Sequence, residues 1–78
     1  MERRTTARKP VLMSAAIALA GTNVDCLVRN ISISGAAIDV GSRQDIPERF
    51  DLVFKVDGAQ IPCHVVWRED EQIGVAFD

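Results

Sequence analysis

The sequence is poor in the residues that most enzyme sites require. Its 78 residues include one histidine, two cysteines and no tyrosine. The histidine, His64, lies between the apolar residues Cys63 and Val65 in a predicted strand, so its side chain should point to the opposite face. We therefore expect it on the surface, without a partner. No residue near Ser32 or Ser34 in the sequence can act as a general base for them. No group of potential ligand residues has the spacing of a metal site. We therefore expect no catalytic residue, no metal ligand and no cofactor, and so no enzyme.

The two cysteines lack the spacing of a metal or redox motif. Cys26 and Cys63 each fall on the apolar phase of a strand-like segment, and we expect both to be small buried hydrophobic residues. A disulfide between them is the alternative if their strands adjoin, although a cytosolic location disfavours it.

No apolar run is long enough to cross a bilayer. The run from Val11 to Ala20 has ten residues, about half the length that a spanning helix needs. Two arginines precede it and Ala-Leu-Ala closes it, a pattern that resembles a secretory signal with its cleavage site. Pro10 and Ser14 weaken that alternative, and cleavage would remove a strand. We expect a cytoplasmic protein without membrane insertion.

Basic charge is scarce outside the N-terminal leader. The net charge is −2, yet residues 1–9 carry four basic side chains and one acid, whereas residues 39–78 carry nine acids and four bases. Nucleic-acid binding needs a basic stripe, and single strands also need exposed aromatic rings. The aromatic residues fall on the inward phase of their strands: Phe50, Phe54, Trp67 and Phe77. We expect no DNA or RNA partner and keep a single-strand-binding barrel as a lower-ranked alternative.

Short alternating apolar segments, separated by turns, fill the rest of the chain. After a first strand in Val11 to Ala20, the expected inward faces are Val24, Cys26 and Val28; Ala36, Ile38 and Val40; Phe50, Leu52, Phe54 and Val56; and Ile61, Cys63, Val65 and Trp67. A strand over residues 73–77 closes the chain, and Asp57-Gly58 predicts a tight turn. The pattern predicts an all-β fold, a small six-stranded antiparallel barrel over residues 10–78 with little or no helix. We expect residues 1–9 to form a mobile basic leader before the barrel.

Two short motifs carry the chemistry. Arg4 and Arg8 place two guanidinium groups in the leader, and such groups grip phosphate, read the edge of guanine or stack on a purine. Asn30 and Ser32 supply short donors and acceptors, and Gly35 indicates a positive φ or the close approach of a ligand. Each motif also has a plainer explanation, as solubilising charge at a terminus or as a locally hydrogen-bonded turn.

The two motifs in this order resemble the signature of the PilZ domain family of bacterial cyclic di-GMP receptors. The family pattern is RxxxR before the first strand and [D/N]xSxxG after the second, matched here by Arg4-x-x-x-Arg8 and Asn30-x-Ser32-x-x-Gly35. The likeness extends to Val65-Val66-Trp67-Arg68 and to Gly74-Val75-Ala76-Phe77. Asn30 stands where Asp is commoner in the family.

The resemblance implies a receptor that binds cyclic di-GMP. Arg4 and Arg8 would clamp the phosphates and guanines, Asn30 and Ser32 would hydrogen-bond to the ligand, and Gly35 would let the backbone approach it. Arg3 would hold a second, stacked ligand molecule. The expected partners are the ligand and a downstream protein, in a monomer or weak dimer. The alternative is an adaptor that contacts a protein partner without a ligand.

Overall fold

Six antiparallel strands form a closed barrel in the computed structural model, which describes residues 9–41 and 46–78. The strands are β1 (Lys9–Leu19), β2 (Thr22–Ile31), β3 (Gly35–Asp39), β4 (Arg49–Phe54), β5 (Gln60–Glu69) and β6 (Gln72–Phe77). Their order around the barrel is β1-β2-β3-β6-β5-β4, and β4 closes on β1. The prediction of an all-β, six-stranded antiparallel barrel is confirmed. The predicted mobile leader falls on residues 1–8, outside the described ranges, and on Lys9, the first residue of β1.

The core is built from one face of each strand, because successive side chains of a strand point to opposite sides. β1 to β5 each contribute one of the largest fully buried side chains, and β6 adds two residues that are almost as buried. These core residues are Ile17, Val28, Ile38, Leu52, Cys63, Ile73 and Val75. Burying a Leu, Ile or Val side chain stabilises a fold by about 1.5–3 kcal/mol. The expected inward faces of β2, β3 and most of β4 are confirmed.

Both cysteines lie in this core as free thiols, as the sequence predicts. Burial raises the pKa of Cys26 from 9.0 to about 11, with a smaller contribution from the neighbouring Asp25 carboxylate. Burial likewise raises the pKa of Cys63 from 9.0 to about 11. Because the thiolate is the reactive form, both side chains are poor nucleophiles near neutral pH.

Strand β4 is shorter than the apolar alternation predicts. It ends at Phe54, and Val56 lies in the following turn with 77% of its surface exposed, so the predicted inward orientation of Val56 is wrong. The N–H of Phe54 donates to the carbonyl of Ala59 at 2.9 Å, and the N–H of Gly58 donates to the carbonyl of Phe54 at 2.8 Å. Gly58 has φ 75°, a conformation that glycine adopts without strain. Asp57-Gly58 lies in a turn as predicted, but the turn is wider than a two-residue one, because the hydrogen bond that closes it joins Phe54 and Ala59.

A β-bulge in β5 reverses the expected orientation of Trp67. Val65 pairs with Val75, but the next pair joins Trp67 to Gly74, so Val66 is an extra residue in β5. The extra residue shifts the alternation by one position, and Trp67 therefore lies on the outer face of the barrel, 38% exposed. The prediction that all four aromatic residues face inward is wrong for Trp67, whereas Phe50 and Phe54 are buried as expected.

Candidate functional site

The polar loop between β2 and β3 is organised around Ser32. The N–H of Ser32 donates to the carbonyl of Gly35 at 2.8 Å, and its hydroxyl donates to the same oxygen at 3.3 Å. The Ser32 hydroxyl also accepts the N–H of Ser34 at 3.3 Å. These bonds make the segment a locally hydrogen-bonded turn, the plainer explanation that the sequence offers. They also hold the half-buried Ser32 side chain in one orientation.

Asn30 owes its outward direction to a second bulge. β2 pairs with β3 at Val28↔Ile38 and then at Asn30↔Ala37, so Arg29 is the extra residue. Strict alternation from Val28, which is in the core, would turn Asn30 inward. The bulge instead places Asn30 on the outer face beside Ala37, while Ile31 packs against the core. The amide is thus presented on the outer wall of the barrel, next to the Ser32 turn.

Gly35 is required by the close approach of strand β6. A Cβ atom at this position would collide with the carbonyl oxygen of Val75 and crowd the Cα atom of Ala76. The N–H of Phe77 donates to the carbonyl of Ser34 at 2.9 Å, which holds the end of β6 against the loop. Positive φ angles occur at Gly21, Gly41 and Gly58, but not at Gly35. The positive-φ explanation of Gly35 is therefore wrong, and the backbone that approaches it closely is that of β6.

The start of β1 lies directly beside this loop. Lys9 pairs with Ile31 and Pro10 pairs with Asn30. The leader therefore enters the barrel at the position of Asn30. Arg3, Arg4 and Arg8 precede this point and lie outside the described residues, so their side chains are not placed.

Small residues cover the outer face of β3 and β6. The paired residues Gly35↔Ala76 and Ala37↔Gly74 alternate with core positions and point away from the core. We call these four residues the small-residue floor. Glycine and alanine project little from a strand, so neighbouring groups pack closely on the floor: Gly35, Ala37 and Gly74 are buried, and the indole of Trp67 covers Gly74.

A charged network borders one end of the floor. His64 pairs with Ala76 on β6 and with Arg49 on β4. Its Nδ1 atom lies 2.6 Å from Oδ1 of Asp78, and Nη1 of Arg49 lies 3.5 Å from Oδ2 of the same carboxylate. His64 is partly exposed, but the expectation that it has no partner is wrong. Exposed pairs of this kind contribute about 0–1 kcal/mol, so the network orients side chains more than it stabilises the fold.

Two exposed apolar side chains near the loop are not among the predicted site residues. Trp67 lies across Gly74 on the outer face, at the far side of the floor from Asn30. Ile33 lies between Ser32 and Ser34, with 93% of its surface exposed. The exposure of Ile33 could have been predicted from the sequence, because a large apolar residue at the tip of a polar turn has no core to enter. The exposure of Trp67 could not, because a bulge is not visible in the apolar pattern.

The fold and the loop define the class of the protein: a small all-β domain whose candidate site is a binding surface on the outer wall. The family model of the PilZ domain matches residues 2–78, and the chain belongs to the PilZ domain family. PilZ domains are known cyclic di-GMP-binding domains, receptors rather than enzymes, and they often act with partner proteins. A search among curated proteins finds no significant match.

In residues 9–41 and 46–78, no three His, Cys, Asp or Glu side chains are grouped so that they could hold a metal ion. The same ranges contain no helix that is long and apolar enough to cross a membrane.

Proposed function

We propose that this chain binds cyclic di-GMP at the outer wall where the leader meets the β2–β3 loop. The ligand-binding residues are Arg3, Arg4, Arg8, Asn30, Ser32 and Gly35. One observation supports the proposal: Pro10, two residues after Arg8, pairs with Asn30, so the chain that carries the first motif enters the barrel beside the second. Arg8 is two residues from Pro10, which is close enough for its guanidinium to reach a ligand lying on Asn30.

The residue types suit the chemistry of the ligand. Guanidinium groups of Arg4 and Arg8 bind phosphate oxygens through paired hydrogen bonds and also read or stack on guanine. The Asn30 amide and the Ser32 hydroxyl offer short, oriented hydrogen-bonding groups to base edges and phosphates. Arg3 contacts a second, stacked ligand molecule. Hydrogen bonds to charged groups contribute about 1.5–3 kcal/mol each, and several of them offset the entropy lost when a nine-residue leader is ordered.

Binding is relayed by the leader. A segment that wraps an anionic ligand against a rigid sheet changes the surface that the domain offers to other proteins. We propose that this new surface is read by a downstream protein partner in the cytoplasm, and that the domain acts as a monomer or weak dimer without DNA or RNA. No catalytic step is involved.

Isothermal titration calorimetry with cyclic di-GMP, and with GTP as the control ligand, tests this proposal. We expect selective binding at micromolar concentration or tighter. Arg4→Ala and Arg8→Ala should each abolish measurable binding, because each removes a permanent cation from the phosphates, and neither should change the thermal unfolding temperature. Lys55→Ala is the matched control: it also removes one cation, but its ammonium pairs with Asp25 on another part of the wall.

Two results would contradict the proposal. One is wild-type affinity in both arginine variants, which would remove those residues from the site. The other is the absence of heat from a folded wild-type sample. In that case a PilZ adaptor that binds a protein without a ligand would become the leading explanation.

A further inference from the structure

Arg29 lies next to the candidate site but takes no regular place in the sheet. The registers of β2 with β1 and of β2 with β3 both pair Val28 and Asn30, and both skip Arg29. A β-bulge redirects the side chains around it, and bulges are frequent beside functional sites. Arg29 is exposed, so the irregular backbone presents a permanent cation to solvent directly beside the Asn30 amide.

One long ion pair holds the guanidinium of Arg29. Its Nη1 atom lies 3.4 Å from Oδ2 of Asp39, and 48% of the Arg29 side chain is exposed. Charge-assisted hydrogen bonds between such groups are usually about 2.7–2.9 Å long. The pair of Lys55 with Asp25, at 2.8 Å, has that length elsewhere on the wall. Because exposed ion pairs stabilise a fold only slightly, the guanidinium can leave Asp39 with little loss.

Asp39 keeps a hydrogen bond when Arg29 leaves. Its Oδ1 atom accepts the N–H of Gly41 at 3.3 Å, a bond to the backbone two residues further along the chain. The carboxylate is also partly exposed, so water can solvate the oxygen that Arg29 vacates. Breaking the ion pair therefore leaves no buried charge without a partner.

Arg29 can reach a ligand that lies on the Asn30 amide. The two residues are adjacent in sequence, so their Cα atoms are about 3.8 Å apart. The leader enters from the β1 side, where Pro10 pairs with Asn30, whereas Arg29 extends from β2 itself. Cyclic di-GMP carries two negatively charged phosphates, and the planar fork of a guanidinium binds phosphate through paired hydrogen bonds.

We propose that Arg29 is a further ligand-binding residue, whose guanidinium exchanges Asp39 for a phosphate of the ligand bound at Asn30. This inference rests on the proposed function, since it takes cyclic di-GMP as the ligand. Unlike the leader arginines, Arg29 belongs to a strand of the barrel, so the fold presents it before the ligand arrives. Asp39 holds the side chain close to the site until then.

The competing explanation is an ion pair between neighbouring strands that has no role in binding. It accounts for the contact between Arg29 and Asp39 without a ligand. It predicts a small effect on stability and none on affinity. It also predicts the same result whichever of the two partners is removed.

Two variants remove the same ion pair and separate these explanations by isothermal titration calorimetry with cyclic di-GMP. Arg29→Ala removes the cation and should weaken binding about tenfold, the effect of losing one hydrogen bond between charged groups. Asp39→Asn leaves the cation in place and should bind at least as tightly as wild type, because the guanidinium no longer has a competing carboxylate. Lys55→Ala, which removes a cation of equal exposure elsewhere on the wall, should bind like wild type.

The affinity of the wild type should also fall more steeply with added salt than that of Arg29→Ala, because salt screens the charge that the variant lacks. The unfolding temperature of each variant shows that it is folded. Arg29→Ala binding within twofold of a wild type that binds well would overturn the role of Arg29 and leave the proposed function standing. Equal weakening in Arg29→Ala and Asp39→Asn would also overturn it, because the ion pair would then act through the shape of the strand. Absence of binding by the wild type would refute the proposed function itself, and this inference with it.

Discussion

Two regions of the outer wall differ in what covers them. Over β1 the wall is crossed by an ion pair, because Lys55 beyond β4 reaches Asp25 on β2 with its Nζ atom 2.8 Å from the carboxylate. The N–H of Lys55 also donates to the carbonyl of Ser14 at 3.1 Å. Over β3 and β6 the wall carries the small-residue floor, which Trp67 covers at Gly74, and at its end Asp39, which lies 3.4 Å from Arg29. The inner faces of both regions are apolar, so the two regions differ in the side chains of their outer faces.

Substituting alanine for Gly35, a residue of the small-residue floor, should have the largest effect on stability. In Gly35→Ala the new Cβ atom meets the carbonyl oxygen of Val75, which is backbone and cannot move without disturbing the pairing of β3 with β6. We expect a loss of about 3 kcal/mol or more in the free energy of unfolding, at the upper end of overpacking effects. Urea denaturation followed by circular dichroism measures it. A loss below about 1 kcal/mol would show that β6 does not constrain this position.

High pH tests whether the core beneath both regions is equally apolar, through a buried thiol on a strand next to each region. Cys26 on β2 and Cys63 on β5 each have a pKa raised by burial to about 11 from 9.0. A raised pKa in the folded state means that unfolding releases protons above pH 9, so stability is full below that pH and falls as pH approaches 11. We expect each thiol to account for about 1 kcal/mol of loss at pH 10.

Urea denaturation at pH 8 and pH 10 measures this loss. Cys26→Ala and Cys63→Ala should each lower stability at pH 8 through the cavity that they leave, yet lose less than wild type between the two pH values. Equal losses in wild type and both variants would mean that the thiols are not the groups that titrate.

Gly74→Ala should have a smaller effect than the same change at Gly35, although both residues belong to the floor. Here the added Cβ atom meets the indole of Trp67, a partly exposed side chain that can swing into solvent. We expect a loss of about 1 kcal/mol and a red shift of the tryptophan emission as the ring leaves the wall. An unchanged emission spectrum would contradict the described position of the ring.

The ion pair on the β1 side should contribute least. In Lys55→Ala the bond to Asp25 is lost, but both side chains are largely exposed and water screens the charges. We expect a change of about 0–1 kcal/mol, smaller still in high salt. Thermal unfolding at low and high ionic strength measures it. A loss comparable with that of Gly35→Ala would reverse the contrast between the two regions.

The alternation of apolar residues predicts the inner wall well, because one side of every strand must enter the core. Leu52 and Ile38 are placed by that rule alone, and the structure confirms both. The rule fails at Trp67, since a bulge shifts the phase without any change in composition. It also fails at Val56, since the chain turns two residues earlier than the pattern indicates.

The candidate site is predictable in a different way. Its residue types identify the family, and the pairing of Pro10 with Asn30 shows that β1 begins beside the second motif. The outward direction of Asn30 depends on the bulge at Arg29, which strand periodicity does not reveal. The positions of the leader arginines relative to the wall stay a prediction, because those residues lie outside the described ranges.

The closure of β4 on β1 limits how another protein can recognise this domain. Each of the six strands has a hydrogen-bonded neighbour on both sides, but only over part of its length: β4 pairs with β1 at Ala15, Ala16, Ile17 and Ala18, so residues 9–13 of β1 extend beyond β4. A partner that adds a strand of its own, a common mode of peptide capture, is therefore confined to such short projecting stretches. Elsewhere a partner must recognise the side chains of the outer wall.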